Sequence, residues 1–213
     1  MKESTSKEKV LKAIRNAQAE ADYPKKTMDV DTRTSIYPPI EGSPDIYFAH
    51  RLEDNRGRFI YCENMHEAMF NLQHIVAENK YDAIYTNEPD IENFLKESSI
   101  NFVNYEQGLK KAQAAITLCE CLVARFGTIV MSSRQLTGRK AHTLPEAHIV
   151  IAFKGQVISE ITSAFQFLQN KYGRSMPSMI TFITGPSRTD AIQGERVYGV
   201  NGAKELYVLY IDI

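Results

Sequence analysis

Residues 58–86 read RFIYCENMHEAMFNLQHIVAENKYDAIYT, and this stretch decides the fold. Arg58 to Cys62 reads as a strand. Asn64 then stands where a helix cap belongs, with Glu67 three residues on and Met65, Ala68, Met69, Leu72, Ile75 and Val76 on one face. Tyr81 to Thr86 is a second strand. Pro89 suits the first turn of a short helix carrying Ile91, Phe94 and Leu95, and Ile100 to Val103 is a third short strand. Strands alternating with amphipathic helices predict an α/β domain with a mostly parallel sheet and helices on both faces.

Upstream of this unit the pattern changes. Asp45 to Phe48 reads as helix, whereas Ala21 to Pro44 carries Pro24, Pro38, Pro39 and Pro44 among scattered polar residues, as an extended connector does. Before it, Thr5-x-x-Glu8 has the form of a capping box, followed by Val10, Leu11, Ile14, Ala17 and Ala21 at helical spacing. Residues 1–44 are therefore expected to form an N-terminal helix and arm, and residues 45–213 the α/β domain. Such an arm suits wrapping its own domain or a neighbouring copy, which makes a homo-oligomer one expectation.

Downstream, Ala114 to Val123 and Gly127 to Ser132 are separated only by Ala124-Arg125-Phe126 and are expected to pair as a hairpin. His148 to Phe153 is a continuous apolar run, the signature of a strand buried on both faces. A helix with Ile161, Phe165, Leu168 and Tyr172 inward stops at Gly173. Met179 to Ile183 leads into Thr184-Gly185-Pro186-Ser187-Arg188-Thr189, and Glu205 to Ile211 completes the sheet.

Composition narrows the function classes. The chain has 213 residues, 43% hydrophobic and 24% charged, which is ordinary for one globular domain. Its 25 basic and 26 acidic side chains nearly cancel, and no basic patch interleaved with aromatics points to nucleic acid. No apolar run approaches the roughly 18 residues of a membrane span, and Met1 to Gln18 lacks the apolar core of a signal peptide. Cytoplasm is the expected location, without membrane insertion. Three cysteines and no Cys-x-x-Cys argue against a disulfide framework, a zinc site or an iron–sulfur cluster held by this chain alone. No Gly-x-Gly-x-x-Gly follows a strand, so a dinucleotide is not expected either. The expectation is no cofactor and no metal.

The chemistry-bearing residues cluster after the strand at Ile180. In an open α/β sheet, ligands bind outside the carboxyl ends of the strands, where the Thr184–Thr189 turn is expected to lie. Gly185 lets the backbone approach a ligand, Ser187 and Thr189 offer hydroxyls, and Arg188 offers a planar fork for carboxylate or phosphate. Taken alone, a Gly-Pro-Ser is more often a plain turn. The corners at Gly127-Thr128, Gly138-Arg139 and Asn201-Gly202 likewise read singly as turns or a solvated loop. Cys119 and Cys121, two apart on one expected strand, should share a side and pack in the core. His148, heading an apolar strand, reads as a satisfied structural histidine.

Together these segments are more specific. Gly127-Thr128-Ile129-Val130, Gly138-Arg139, Leu144-Pro145-Glu146-Ala147-His148-Ile149-Val150, Ile183-Thr184-Gly185-Pro186-Ser187-Arg188-Thr189 and Gly199-Val200-Asn201-Gly202 follow one another as they do in the LUD-domain family, the lactate-utilisation proteins. The chain most resembles the stand-alone type called lactate utilisation protein C, from about Gln113 onward. The resemblance implies a fold like that of sugar-phosphate isomerases and coenzyme A transferases. It also implies a non-redox role in L-lactate oxidation beside iron–sulfur partner subunits, with a small anionic metabolite as ligand. The residues expected to bind it are Thr128, Arg139, Thr184, Gly185, Pro186, Ser187, Arg188, Thr189, Asn201 and Gly202.

The departures from the family pattern are equally specific. Arg125-Phe126 replaces a Glu-Thr, Asp190-Ala191-Ile192-Gln193 replaces Ala-Asp-Ile-Glu, and Asn201-Gly202-Ala203 replaces His-Gly-Pro. Acid–base groups are thereby lost or displaced, so whether the chain is an enzyme stays open. Glu120 is the one acid placed to substitute, as the catalytic candidate of a coenzyme A transferase or formyltetrahydrofolate cycloligase type of enzyme. The third alternative is an inactive regulatory or assembly module.

Overall fold

The computed structural model describes residues 6–20, 37–192 and 195–213. The chain divides into Met1–Pro39 and a compact unit, Ile40–Ile213. In the first, α1 spans Ser6–Glu20. Thr5 of the expected capping box, and the expected connector through residue 36, lie outside the described residues.

The compact unit is built on six parallel strands: β1 (Arg58–Cys62), β2 (Ile84–Tyr85), β3 (Phe102–Val103), β4 (Ala114–Leu118), β7 (Ala147–Phe153) and β12 (Glu205–Ile211). Their order across the sheet is β1-β12-β7-β4-β2-β3, so the last strand of the chain sits inside the sheet rather than at an edge. The continuous apolar run of β7 has its reason here. Ala147, Ile149 and Ile151 enter the core on one face, and Val150 and Ala152 enter the core on the other.

The first face is covered by α3 (Met65–Asn79) and α4 (Pro89–Glu97) through Ala68, Leu72, Ile75, Ile91, Phe94 and Leu95. Asn64 caps α3 as its sequence predicts, its side chain accepting from the Glu67 amide at 3.0 Å, while the Glu67 carboxylate accepts from the Glu63 amide. The opposite face is covered by α2 (Pro44–Asp54), through Phe48 and Leu52, together with a second sheet. That sheet has the order β8-β5-β6-β9, from β5 (Cys121–Val123), β6 (Thr128–Ser132), β8 (Val157–Ile158) and β9 (Ile180–Thr184). Its far side is closed by α6 (Ile161–Tyr172), which packs Ala164 and Leu168 against Cys121, Val123 and Val130. A short α5 (Glu106–Leu109) precedes β4.

The second sheet corrects two expectations. Ala114 to Val123 is not one hairpin strand. Ala114–Leu118 runs parallel in the central sheet, and only Cys121–Val123 pairs antiparallel with Thr128–Val130. No glycine or proline marks the crossing between sheets at Cys119-Glu120, so the apolar run hides it. Cys119 and Cys121 consequently pack in different cores rather than on a shared side. Burial raises the pKa of both thiols.

Candidate functional site

The segment singled out by sequence leaves the end of β9. Gly185 has φ +74°, and a Cβ there would lie 2.2 Å from the Asn55 carbonyl oxygen, so the turn is pressed against the residue that ends α2. The chain then enters a two-stranded ribbon, β10 (Arg188–Ile192) and β11 (Glu195–Tyr198), with Arg188 opposite Tyr198. The Ser187 amide donates to the Ala203 carbonyl at 2.8 Å, and the Ser187 carbonyl accepts from the Gly199 amide at 2.8 Å. The Ser187 hydroxyl donates to the Val200 carbonyl. A Cβ on Gly202 would come within 2.8 Å of Ser187 Cβ, and Asn201 holds φ +58°. The two glycine corners are thus strapped together as one body.

Between this body and the central sheet lies a cleft of about 340 Å³. Thr184, Gly185, Pro186, Ser187, Arg188, Asn201 and Gly202 all line it. Of the remaining expected site residues, Thr128 stands one bond behind, its hydroxyl 2.7 Å from that of Thr184. Thr189, next to Arg188 on β10, is outside the lining. Arg139 is exposed elsewhere, donating to the Ser178 hydroxyl. The cleft also departs from the expected position at the carboxyl ends of the parallel strands. His148 and Leu206, second residues of β7 and β12 and register partners of each other, place it at their amino ends. The reason is that β9 pairs with β6 in the second sheet, so its exit is not bound to the carboxyl edge of the first.

The floor holds two residues that sequence reasoning did not assign to a site. His148 is 1% exposed and its Nε2 lies 2.8 Å from the Thr117 hydroxyl. His142, 7% exposed, sits with its ring centroid 6.3 Å from that of His148. The Nδ1 atoms of both are buried without a hydrogen-bond partner. Burial, then the neighbouring His142, push the His148 pKa down to about 3; burial lowers that of His142. Both imidazoles are therefore neutral near pH 7, each with one polar atom left over. Arg188 is exposed at the mouth, and no ion pair engages it among the described residues. Asp190 is instead taken by Arg196 at 2.9 Å, whose hydrogen bond lowers the Asp190 pKa. His142 carried no periodic or motif signal, and the unmatched face of His148 appears only once β4 supplies Thr117.

Glu120 is not brought to the cleft. It sits where the chain crosses between sheets, near Ser132 at the opposite end of β6 from Thr128. Its carboxylate accepts from the Ser132 hydroxyl, from Lys171 at 2.7 Å and from the Tyr172 hydroxyl at 2.7 Å. Burial pushes its pKa up, but these hydrogen bonds outweigh it and leave the carboxyl below its ordinary value. Among the described residues, no group of three or more His, Cys, Asp or Glu side chains could hold a metal ion.

The family model for the LUD domain matches residues 47–211, nearly all of the compact unit. The chain belongs to the LUD-domain family. It is 37% identical over 106 residues to lactate utilization protein C of Geobacillus thermodenitrificans, covering 48% of this chain and 44% of that protein. To the Bacillus subtilis protein of the same name it is 35% identical over 113 residues, covering 50% of this chain and 47% of that protein. The matched stretch thus spans less than half the length of these relatives. A crystal structure of a DUF162 family protein from Deinococcus radiodurans has the same fold, with a TM-score of 0.63 at 18% identity over 82% of this chain and 99% of that one.

Within this LUD domain, the departure at Arg125 has a structural consequence. The buried Arg125 guanidinium grips Glu160, at the start of α6, with Nε 3.0 and 3.3 Å from the two carboxylate oxygens. The carbonyls of Arg125 and Phe126 accept from Arg51 and Asn55 of the α2 end. Gly127 then turns at φ +62° with no room for a Cβ against Leu52. The corner is a joint between α2, the second sheet and α6. Of the second departure, Gln193 lies outside the described residues.

Proposed function

We propose that this LUD domain is a non-redox component of a lactate or related organic-acid utilisation system and that its cleft holds a small carboxylate or phosphate-bearing anion. The observation that carries the reading is the convergence of Arg188 at the mouth with the unmatched His142 and His148 imidazoles in the floor. An anion entering the cleft exchanges hydration for the Arg188 fork. A ligand oxygen reaching the floor gives the buried nitrogens the partner they lack. The names of the curated relatives supply the metabolic setting. Cytoplasm is the proposed location, with iron–sulfur oxidoreductase subunits as the proposed partners. Among the described residues, no helix is long and apolar enough to cross a membrane.

Titration calorimetry with lactate, pyruvate, inorganic phosphate and coenzyme A thioesters tests the ligand assignment. Arg188→Ala and Arg188→Lys should each weaken binding of the preferred anion about tenfold or more, because lysine keeps the charge without the bidentate fork. Undiminished binding in both variants, or no binding by wild type to any of the four, overturns it. Affinity capture of the full chain from its native host tests the partners, and recovery without iron–sulfur subunits counts against them.

A further inference from the structure

On the other side of Pro186 and Leu206, which also line the cleft, lies a second pocket of about 250 Å³ with a different chemistry. Arg56, Arg58 and Lys204 face it, opposed by the single carboxylate of Glu205. That carboxylate is already engaged, accepting from the Tyr207 hydroxyl at 2.7 Å and the Tyr81 hydroxyl at 3.3 Å. None of the three cations takes part in an ion pair among the described residues.

The two guanidinium groups are also held in place. Arg56 lies over the Tyr198 ring at 5.5 Å and Arg58 over the Tyr207 ring at 5.0 Å, with Arg58 donating to the Tyr207 hydroxyl at 2.9 Å. A guanidinium held against an aromatic ring loses less further freedom when it grips an oxyanion with its remaining N–H groups. Arg56 is held with φ +66° just after α2, a backbone position where glycine is favoured. The left-handed turn closes α2, with the Arg56 amide donating to the Glu53 carbonyl at 2.8 Å and the Gly57 amide to the Leu52 carbonyl at 2.9 Å, and so sets where the Arg56 side chain leaves the backbone.

We propose that this pocket is a phosphate site, taking the phosphoryl group of a small phosphorylated molecule independently of the Arg188 cleft. Three cations against one engaged carboxylate favour a dianion over a monocarboxylate. Two preset forks match a group presenting several equivalent oxygens. The volume leaves room for the first atoms of an ester beside the phosphoryl group.

Inorganic phosphate and methyl phosphate, titrated at low ionic strength against acetate, provide the test. Wild type should bind both phosphates and prefer them to acetate. Arg56→Gln combined with Arg58→Gln should lose at least tenfold in phosphate affinity. Lys204→Gln, which leaves the Tyr207 bond of Arg58 intact, should lose severalfold and serves if the double variant does not fold. Lys96→Gln and Arg174→Gln, which remove exposed cations outside the pocket, control for general charge. Equal losses in the controls, loss with Arg188→Gln but not with the Arg56 and Arg58 changes, or no preference for phosphate over acetate, would each overturn the proposal.

Discussion

His148 ties the stability of the fold to the burial of its imidazole in the cleft floor. In the unfolded chain its imidazole titrates near 6.5, whereas in the folded protein burial lowers the pKa to about 3. The unfolded state therefore binds more protons than the folded state throughout the interval between these values. Stability attributable to His148 is present above pH 6.5 and drains away as pH falls toward 3. Going from pH 7 to pH 4 should cost on the order of 3 kcal/mol through this group alone, at about 1.4 kcal/mol per pH unit below the unfolded pKa. The lowered pKa of His142 acts with the same sign. Carboxylates contribute to the same acid limb, so the quantity to measure is the difference between wild type and His148→Gln. Urea unfolding at half-unit steps from pH 7 to pH 4 gives it. Wild type should lose more stability than the variant over this range, with the gap opening below pH 6.5. Parallel curves for the two proteins would mean that the imidazole is protonated freely in the folded state, and the buried, neutral imidazole would be refuted.

Gly185→Ala should cost at least about 2 kcal/mol in urea unfolding, since alanine disfavours positive φ and its methyl would meet the Asn55 carbonyl; an unchanged midpoint would show that the turn is not pressed against α2. Glu120→Ala should cost about 2 kcal/mol, the low end for a broken buried polar network, because the released Lys171 is 47% exposed and re-solvates. Glu120→Ala should leave organic-acid affinity in the Arg188 cleft unchanged, and abolished binding in a folded variant would return Glu120 to the site. Thr128→Val removes the partner of the Thr184 hydroxyl at the cleft edge and should lower the melting temperature by a few degrees; no shift in a thermal melt would show that the pair contributes nothing.

The central sheet was legible because its signals are local. The Asn64 cap, the 3.6-residue spacing through α3 and the uninterrupted apolar run of β7 each follow from one element and its two neighbours. The second sheet was not. Its strands β5 and β8 span only three and two residues, and the crossing after Leu118 keeps the apolar pattern on both sides of it. Pattern alone assigns such residues to the preceding strand, and with them the wrong facing of Cys121. The site divides the same way. The Gly185 and Asn201 corners announce themselves by residue type, while His142, Arg56 and Arg58 acquire meaning only from what the fold sets beside them.

The departures from the family pattern bear on what this domain can do. The Arg125 guanidinium is not an unpaired charge in an emptied active site, because Glu160 binds it and the surrounding carbonyls fix α2 to the corner. The Arg125 corner joins three elements, α2, the second sheet and α6. Asn201 keeps a left-handed conformation that asparagine tolerates and so supports the corner that abuts Ser187. The scaffold of the cleft is thus maintained through residues that cannot exchange protons near pH 7. The same holds for His148, with its depressed pKa, and for the Ser187 hydroxyl, which spends its proton on the Val200 carbonyl. What remains at the mouth is a fixed positive fork, and below it stand two neutral nitrogens awaiting an oxygen. Under the proposed function, this arrangement serves to hold and orient an anion through the Arg188 fork and neutral imidazoles.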